Sequence, residues 1–316
     1  MLLATANEES RTDVISGLRE VFTVKDLGVV QTYLGAHVTW GDGICKIDQR
    51  VYVDKMVKRF SMEDAKPTDS PMSAGLVLTS EMSPQSPEEQ AEMDRKPYRS
   101  LTGSLLYASL LTRPDIAFPT HAVCRFNATP GQRHWKAAKR ILKYLKATRC
   151  HGIVYKKGNA AVPVTYSDSD WGDDSDTRKS QSGWCVVIAS GLVDWSTKAQ
   201  KTVSLSSCEA EYVAASEAFR EVLWIKQLLI EMDVLKHDRP LKVRMDSTSA
   251  MAVARNPVAH QRTKHIDIKH HFIRDLVATG IVELDYVPTD DNLADVFTKA
   301  VSKATFLKLG RFLVQN

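Results

Sequence analysis

Four acidic residues stand where a carboxylate is costly to keep. Asp168 closes the stretch Val162-Pro-Val-Thr-Tyr-Ser-Asp-Ser-Asp-Trp171, in which Val162, Val164 and Tyr166 alternate with small or polar residues at the period of a half-buried strand. Asp246 ends a second alternating run, Leu241 to Met245. Glu211 lies on a helix expected from about Ser206 to Met232, on one face with Ala215, Ala218, Val222, Ile225 and Leu229. Asp295 follows Pro288-Thr-Asp-Asp291 near the first turn of another expected helix, whose dipole would help keep it ionised. An unpaired carboxylate beside apolar neighbours costs free energy unless a cation or a donor compensates it. The Asp168 stretch taken alone also reads as an Asx turn with solvated aspartates.

Two strand ends, an inward helix face and a helix start can converge over one edge of a mixed sheet. Four carboxylates gathered there cannot all ionise without cations. Oxygen-only ligation suits magnesium or manganese, and two such ions about 3.5–4 Å apart can activate water and stabilise the leaving oxygen of a phosphodiester. No nucleophilic serine or cysteine with a base is needed for that chemistry.

The elements that must position these residues follow from the rest of the pattern. Apolar spacing predicts helices over Ser10 to Phe22 and Val51 to Phe60, with a hairpin between them around Gly41-Asp42-Gly43. Tyr52-Val-Asp-Lys55 superficially resembles a polymerase Tyr-X-Asp-Asp box, but it lies within the second helix and Lys55 replaces the second aspartate. Lys66 to Pro97 gathers five prolines, serines and Glu88-Glu89, and reads as a linker or exposed loop. Helices are expected again over Tyr98 to Leu111, after Pro114, and over His134 to Ala147. The last pairs an apolar stripe (Trp135, Ala138, Ile141, Leu142, Leu145) with Lys136, Lys139, Arg140, Lys143 and Lys146. Such a basic face can follow phosphates, or be simply a solvated face.

Beyond the Asp168 strand lies a charged loop, Gly172 to Gly183, containing Arg178 and Lys179. Two strands joined at Ser190-Gly191 come next, and then the Glu211 helix, entered through Ser206-Ser-Cys-Glu209 in the capping-box pattern. A helix over Thr263 to Thr279 and a strand over Val282 to Val287 complete the set. His265, His270 and His271 do not fall on one helix face, so zinc is rejected. With Arg262, Lys264 and Lys269 they make either a cationic surface or a solvated face.

The chain has 316 residues, with a net charge of +4 and 43% hydrophobic residues, as expected of two or three globular domains. That charge permits a polyanionic partner without establishing one. The five cysteines are widely spaced with no CxxC pair, which argues against a disulfide framework or a cysteine zinc site. No run approaches the roughly 18 apolar residues of a membrane span. The expectation is a cytosolic or nuclear protein.

Four ordered stretches carry a resemblance: Tyr166-Ser-Asp-Ser-Asp-Trp-Gly172, Ser206-Ser-Cys-Glu-Ala-Glu-Tyr-Val-Ala214, Thr263-Lys-His-Ile-Asp-Ile-Lys-His-His-Phe-Ile-Arg274 and Val287-Pro-Thr-Asp-Asp-Asn-Leu-Ala-Asp-Val-Phe-Thr-Lys-Ala300. They resemble the RNase H domain of copia-type retrotransposon polyproteins. Upstream, Lys25-Asp-Leu-Gly28, Tyr33-Leu-Gly35, Tyr98-Arg-Ser-Leu-Thr-Gly-Ser-Leu-Leu-Tyr107, Thr112-Arg-Pro-Asp-Ile116 and Tyr144-Leu-Lys-Ala-Thr148 are similar to the same polyproteins. The resemblance implies an α/β (α+β) chain: an RNase H-like mixed five-stranded sheet with flanking helices, preceded by a partial reverse transcriptase palm and a helical thumb or connection region. The implied divisions are 1–73, 74–155 and 156–316.

The family's Asp-Glu-Asp-Asp set falls on Asp168, Glu211, Asp246 and Asp295, which would hold two Mg2+ or Mn2+ ions. The implied activity is hydrolysis of the RNA strand of an RNA/DNA hybrid. Lys136, Lys139, Lys143, Lys146, Arg178, Lys179 and Lys264 are candidate nucleic-acid contacts. Further partners would be a complete reverse transcriptase or other retrotransposon proteins, in a virus-like particle if the element is intact. The Tyr-Val-Asp-Asp box of the polymerase would lie immediately before Met1, so a truncated, polymerase-dead chain is expected. No histidine lies between Pro288 and Asp295, where many RNase H enzymes carry one. The alternative is a non-catalytic remnant that at most binds nucleic acid.

Overall fold

The computed structural model describes residues 2–5, 7–158, 162–255 and 272–316. Its first sheet runs β1 (Thr32–Tyr33), β2 (Ala36–Gly41), β3 (Ile44–Asp48) and β4 (Gly152–Lys156), all antiparallel and in that order. Asp42 and Gly43 turn β2 into β3 with φ of 48° and 74°. Two left-handed central residues make the turn whose twist matches the flanking strands. β4 has no counterpart in the expectations and joins the chain near residue 152 to the hairpin near residue 46.

Helices α1 (Glu8–Val21), α2 (Arg50–Arg59), α3 (Pro87–Asp94), α4 (Tyr98–Leu111), α5 (Ala117–Cys124) and α6 (Gln132–Ala147) complete this half. α1 buries none of its residues, whereas α2 turns Val53, Met56 and Val57 into a core shared with α4, α5 and α6. The expected Lys66–Pro97 linker is packed rather than detached. Met72 and Leu78 are buried in the same core, Met93 of α3 is buried as well, and α3 starts on Pro87 with the Ser86 side chain accepting from the Glu89 N–H. Proline at a first helical turn removes an N–H that would be unsatisfied anyway, so this composition suits a capped helix as well as a loop.

Behind α4 the chain buries an ion pair. Arg113, 1% exposed, donates from Nε and Nη2 to Asp115 at 3.0 and 2.7 Å. Its guanidinium also reaches the Thr148 carbonyl and hydroxyl at 3.1 and 2.6 Å, and the Tyr144 hydroxyl donates to Asp115 at 2.6 Å. Arginine's planar fork meets a carboxylate in two parallel bonds, which makes such burial tolerable. The pair ties the Thr112–Ile116 turn to the end of α6.

The second sheet is mixed and five-stranded, β7-β6-β5-β8-β9, from β5 (Val164–Asp170), β6 (Gln181–Ile188), β7 (Gly191–Ala199), β8 (Leu241–Met245) and β9 (Val282–Tyr286). β5, β6 and β7 form an antiparallel meander, and β8 and β9 add in parallel. Parallel neighbours need a crossover, supplied before β8 by α7 (Ser207–Glu231). α8 (Thr248–Arg255) and α9, whose described part is 272–278, lie between β8 and β9. Most of the expected Thr263–Thr279 helix, with its histidines, lies outside the described residues. After β9 the chain makes two short 3-10 turns, Thr289–Asp291 and Leu293–Phe297, and ends with α10 (Lys303–Leu313).

One face of this sheet packs on α7 and α8, and the meander is covered on its other face as well. Val186, Val243 and Leu284 pack with Phe219, Val222 and Ile225 of α7 and Met251 of α8. Cys185, Leu192, Tyr166 and Trp195 of the meander join Phe297 and Phe306 in the core of α2, α4, α5 and α6.

Candidate active site

The register of β5 brings Asp168 to the sheet end where β8 stops, and Asp246 is the next residue along that neighbour. The 3-10 turn Leu293–Phe297 crosses the same end and carries Asp295. Asn292 fixes that turn: fully buried, it donates from Nδ2 to the Ser167 carbonyl at 3.1 Å and caps the Ala294 N–H at 3.1 Å. One ligand oxygen from each of Asp168, Asp246 and Asp295 lies within 4.8 Å of the others. Asp168 and Asp295 are 2% and 3% exposed; Asp246 is half-buried.

Glu211 approaches from α7. Ser206 caps that helix by accepting the Glu209 N–H at 3.2 Å, while Glu209 reaches back to the N–H of Leu205 at 2.9 Å, one residue ahead of the expected Ser206. The cap sets the helical phase that turns Glu211 inward with Ala215, Ala218, Val222 and Ile225. Glu211 Oε1 accepts the Ser169 N–H at 3.3 Å, and Oε2 is buried without a partner.

The electrostatics are those of crowded acids. Burial first, and then Asp168 and Asp246, push Glu211 up to about 9. Burial and Asp168 raise Asp295 to about 7, against the lowering influence of Lys299. This reverses the expectation that a helix dipole keeps Asp295 ionised. The turn has only five residues in 3-10 geometry, and desolvation beside a second carboxylate outweighs its small dipole. Asp168 is likewise raised, chiefly by burial. Asp170, at the strand tip, rises to about 6 through burial and Asp173.

Three neighbours escaped sequence reasoning. The Thr298 hydroxyl donates to Asp168 Oδ2, and the Thr289 hydroxyl donates to Asp246 Oδ2 at 2.6 Å. Lys299 Nζ lies 3.0 Å from Asp295 Oδ2 and 3.6 Å from Asp168 Oδ2. The four-residue spacing of Asp295 and Lys299 was the available signal, since such pairs meet on one helical face.

The expected basic contacts are scattered. On α6, Lys136 is exposed, Lys139 lies over the Trp135 ring at 5.5 Å, and Lys143 is half-buried. Lys146 donates to the carbonyls of Ala65, at 3.0 Å, and Glu63, so it holds a loop. Arg178 is exposed and Lys179 half-buried in a loop tied to the first half by Arg125–Asp174 at 2.5 Å and by Asp176 with Ser80. Lys264 lies outside the described residues.

An all-oxygen donor set with two buried orphan oxygens, Asp295 Oδ1 and Glu211 Oε2, fits a hard divalent cation such as magnesium or manganese. A mixed sheet of this order with carboxylates at the end of its central strand defines an RNase H-like domain. No family model matches the chain. It is 38% identical over 291 residues to the retrovirus-related Pol polyprotein from transposon TNT 1-94 of Nicotiana tabacum, covering 92% of this chain and 22% of that protein. It is 36% identical over 308 residues to the corresponding polyprotein of transposon RE1 of Arabidopsis thaliana, covering 96% and 20%. A putative transposon Ty5-1 protein of Saccharomyces cerevisiae is 30% identical over 224 residues, covering 70% of this chain and 71% of that protein. Among solved structures, an RNase H1 isolated from compost aligns at 17% identity with a TM-score of 0.33, covering 44% of this chain and 93% of that one. The chain belongs to the Pol proteins of copia-type retrotransposons and spans about a fifth of the length of the Pol polyproteins from TNT 1-94 and RE1.

Proposed function

We propose that this chain is a ribonuclease H, hydrolysing the RNA strand of RNA/DNA hybrids at a centre where Asp168, Glu211, Asp246 and Asp295 hold two magnesium or manganese ions. The observation that carries the reading is the close approach of Asp168, Asp246 and Asp295 at one sheet end, with orphan oxygens on Asp295 and Glu211. Divalent ions bound there would supply an activated water and neutralise charge at the leaving oxygen.

The chain's own part is to present oxygens at fixed positions. β5 and β8 set Asp168 and Asp246 side by side, Asn292 pins the Asp295 turn to β5, and α7 delivers Glu211 onto the Ser169 N–H. Discrimination of the RNA strand would rest on 2′-hydroxyls and duplex shape rather than on bases.

The second reading, a remnant that only binds nucleic acid, is favoured by one feature: the Lys299 ammonium already neutralises part of the carboxylate charge. Cleavage of an end-labelled hybrid by the purified chain separates the two. The enzyme reading expects cleavage with magnesium, none with a chelator, and none from Asp246→Asn, because an amide is a poorer ligand for a hard cation. Equal cleavage by that variant would remove the assignment.

A further inference from the structure

Lys299 reaches the carboxylates as a consequence of the chain's path after Asp295. The Lys299 N–H bonds to the Asp295 carbonyl at 3.2 Å, so the turn continues for one helical step beyond the 3-10 segment. That step sets the two side chains on the same side, and the Lys299 side chain remains 34% exposed while its ammonium faces inward.

Each aspartate of the cluster has one oxygen engaged by the protein. Asp168 Oδ2 takes the Thr298 hydroxyl and faces Lys299; Asp295 Oδ2 takes Lys299; Asp246 Oδ2 takes the Thr289 hydroxyl. By contrast, Asp295 Oδ1 and Glu211 Oε2 are buried with no partner. The centre is therefore divided between oxygens the chain already satisfies and oxygens that wait for a donor or a cation. A hydroxyl can rotate away or share its oxygen with an ion at little cost. An ammonium cannot share, because it brings a full positive charge to the place a cation would take.

Resting on the metal-centre reading above, we propose that Lys299 is a built-in cation of this site: it holds one oxygen each of Asp168 and Asp295, so that one divalent ion binds strongly and a second enters only by displacing the lysine. The two ions are then unequal by construction, and the weaker one is controlled by a side chain with a route to solvent. Lys299 thereby sets the concentration of magnesium at which the fully loaded centre forms.

The test is a titration of the purified chain with manganese, following free ion by electron paramagnetic resonance. Wild type is expected to take up ions in two phases, with the second weaker by about tenfold or more, the size of one modest charge interaction. Lys299→Met should strengthen the second phase by about tenfold, and Lys299→Arg, which keeps the charge, should leave it weak. A methionine variant whose isotherm superimposes on wild type overturns the proposal. Uptake of no ion by wild type fails the metal centre itself, and the lysine inference with it. A second measurement needs no variant: acylation of Lys299 by an amine reagent, followed by mass spectrometry across the wild-type titration. Reactivity should rise with the second phase as the ammonium is released. A constant or falling rate overturns displacement.

Discussion

Asp168 on β5 stands directly opposite Gly183 on β6, and the turn that carries Asp295 lies against that glycine. A Cβ on Gly183 would meet Thr298 Cγ2 at 2.6 Å and Phe297 Cβ at 2.8 Å. The glycine is thus a clearance that lets the third aspartate reach the first. Gly183→Ala should push the turn outward, weakening manganese binding and costing about 1–3 kcal/mol, the usual range for overpacking. Calorimetric titration together with chemical denaturation reads both, and unchanged affinity would show that the turn is placed by other contacts.

Two glutamates only two residues apart should separate chemistry from stability. Glu211→Gln is expected to abolish hybrid cleavage with little loss of stability, because burial keeps Glu211 protonated at neutral pH without a metal and an amide resembles that neutral form. Glu209→Ala should keep cleavage and cost about 0.5–2 kcal/mol, the size of a lost helix cap. An active Glu211→Gln together with an inactive but stable Glu209→Ala would invert both roles.

The raised acids make metal-free stability depend on pH in a defined direction. Asp295 and Glu211 have folded values of about 7 and about 9, above the ordinary carboxylate range of the unfolded chain. Such groups hold more protons folded than unfolded, so their stabilisation is full at low pH and is lost as pH rises through the folded values. In a chelator, the melting temperature should fall between about pH 6 and pH 9. Saturating magnesium should flatten that slope, since binding releases the same protons. A chelated protein whose melting temperature rises across this window would contradict the assignment.

The buried pair in the first half should be unforgiving. Asp115→Ala leaves the Arg113 guanidinium buried beside Tyr144 without its counter-ion. The expected cost is about 3–5 kcal/mol, typical of removing one partner of a buried pair. Tyr144→Phe removes a single hydrogen bond to the same carboxylate and should cost about 1.5–3 kcal/mol, the range for bonds to charged groups. Urea denaturation monitored by circular dichroism ranks the two, and a reversed order would mean that the hydroxyl rather than the guanidinium keeps Asp115 satisfied.

The lysines of α6 are not equivalent. Neutralising Lys136 and Lys143 should flatten the salt dependence of hybrid affinity without unfolding, as expected where each phosphate contact releases counterions. Lys146→Ala should instead loosen the loop at Glu63 and Ala65, whose carbonyls it holds. An unchanged salt slope in the double variant would leave α6 as a solvated face.

Much of this architecture could be read from periodicity. α4 occupies Tyr98–Leu111 as expected, and α7 starts at its serine cap, because apolar spacing and capping chemistry are local properties. Strand alternation places Asp168 and Asp246 at one sheet end and helical phase turns Glu211 inward, whereas Asp295 follows a turn rather than the start of the expected helix. Other features depend on contacts that local pattern does not encode. β4 is five residues long and earns its place by pairing with β3 about a hundred residues earlier. Most of the Lys66–Pro97 segment is exposed or half-buried, in keeping with a loop, but Met72 and Leu78, too widely spaced to make a stripe, find the common core and Met93 is buried on α3. The upward shift of Asp295 was not legible because it comes from burial first and then from Asp168, and both depend on contacts distant in sequence.

The β5–β6–β7 meander has one face built into the domain that bears the carboxylates and the other built into the helices of the first half. A domain cut free at its apparent boundary would expose Tyr166, Cys185, Leu192 and Trp195 together, a sticky patch rather than a surface. The two halves of this chain thus share one hydrophobic core across that face. A change deep in the helical half, such as loss of the Arg113 pair, is therefore expected to reach the carboxylates through that shared core.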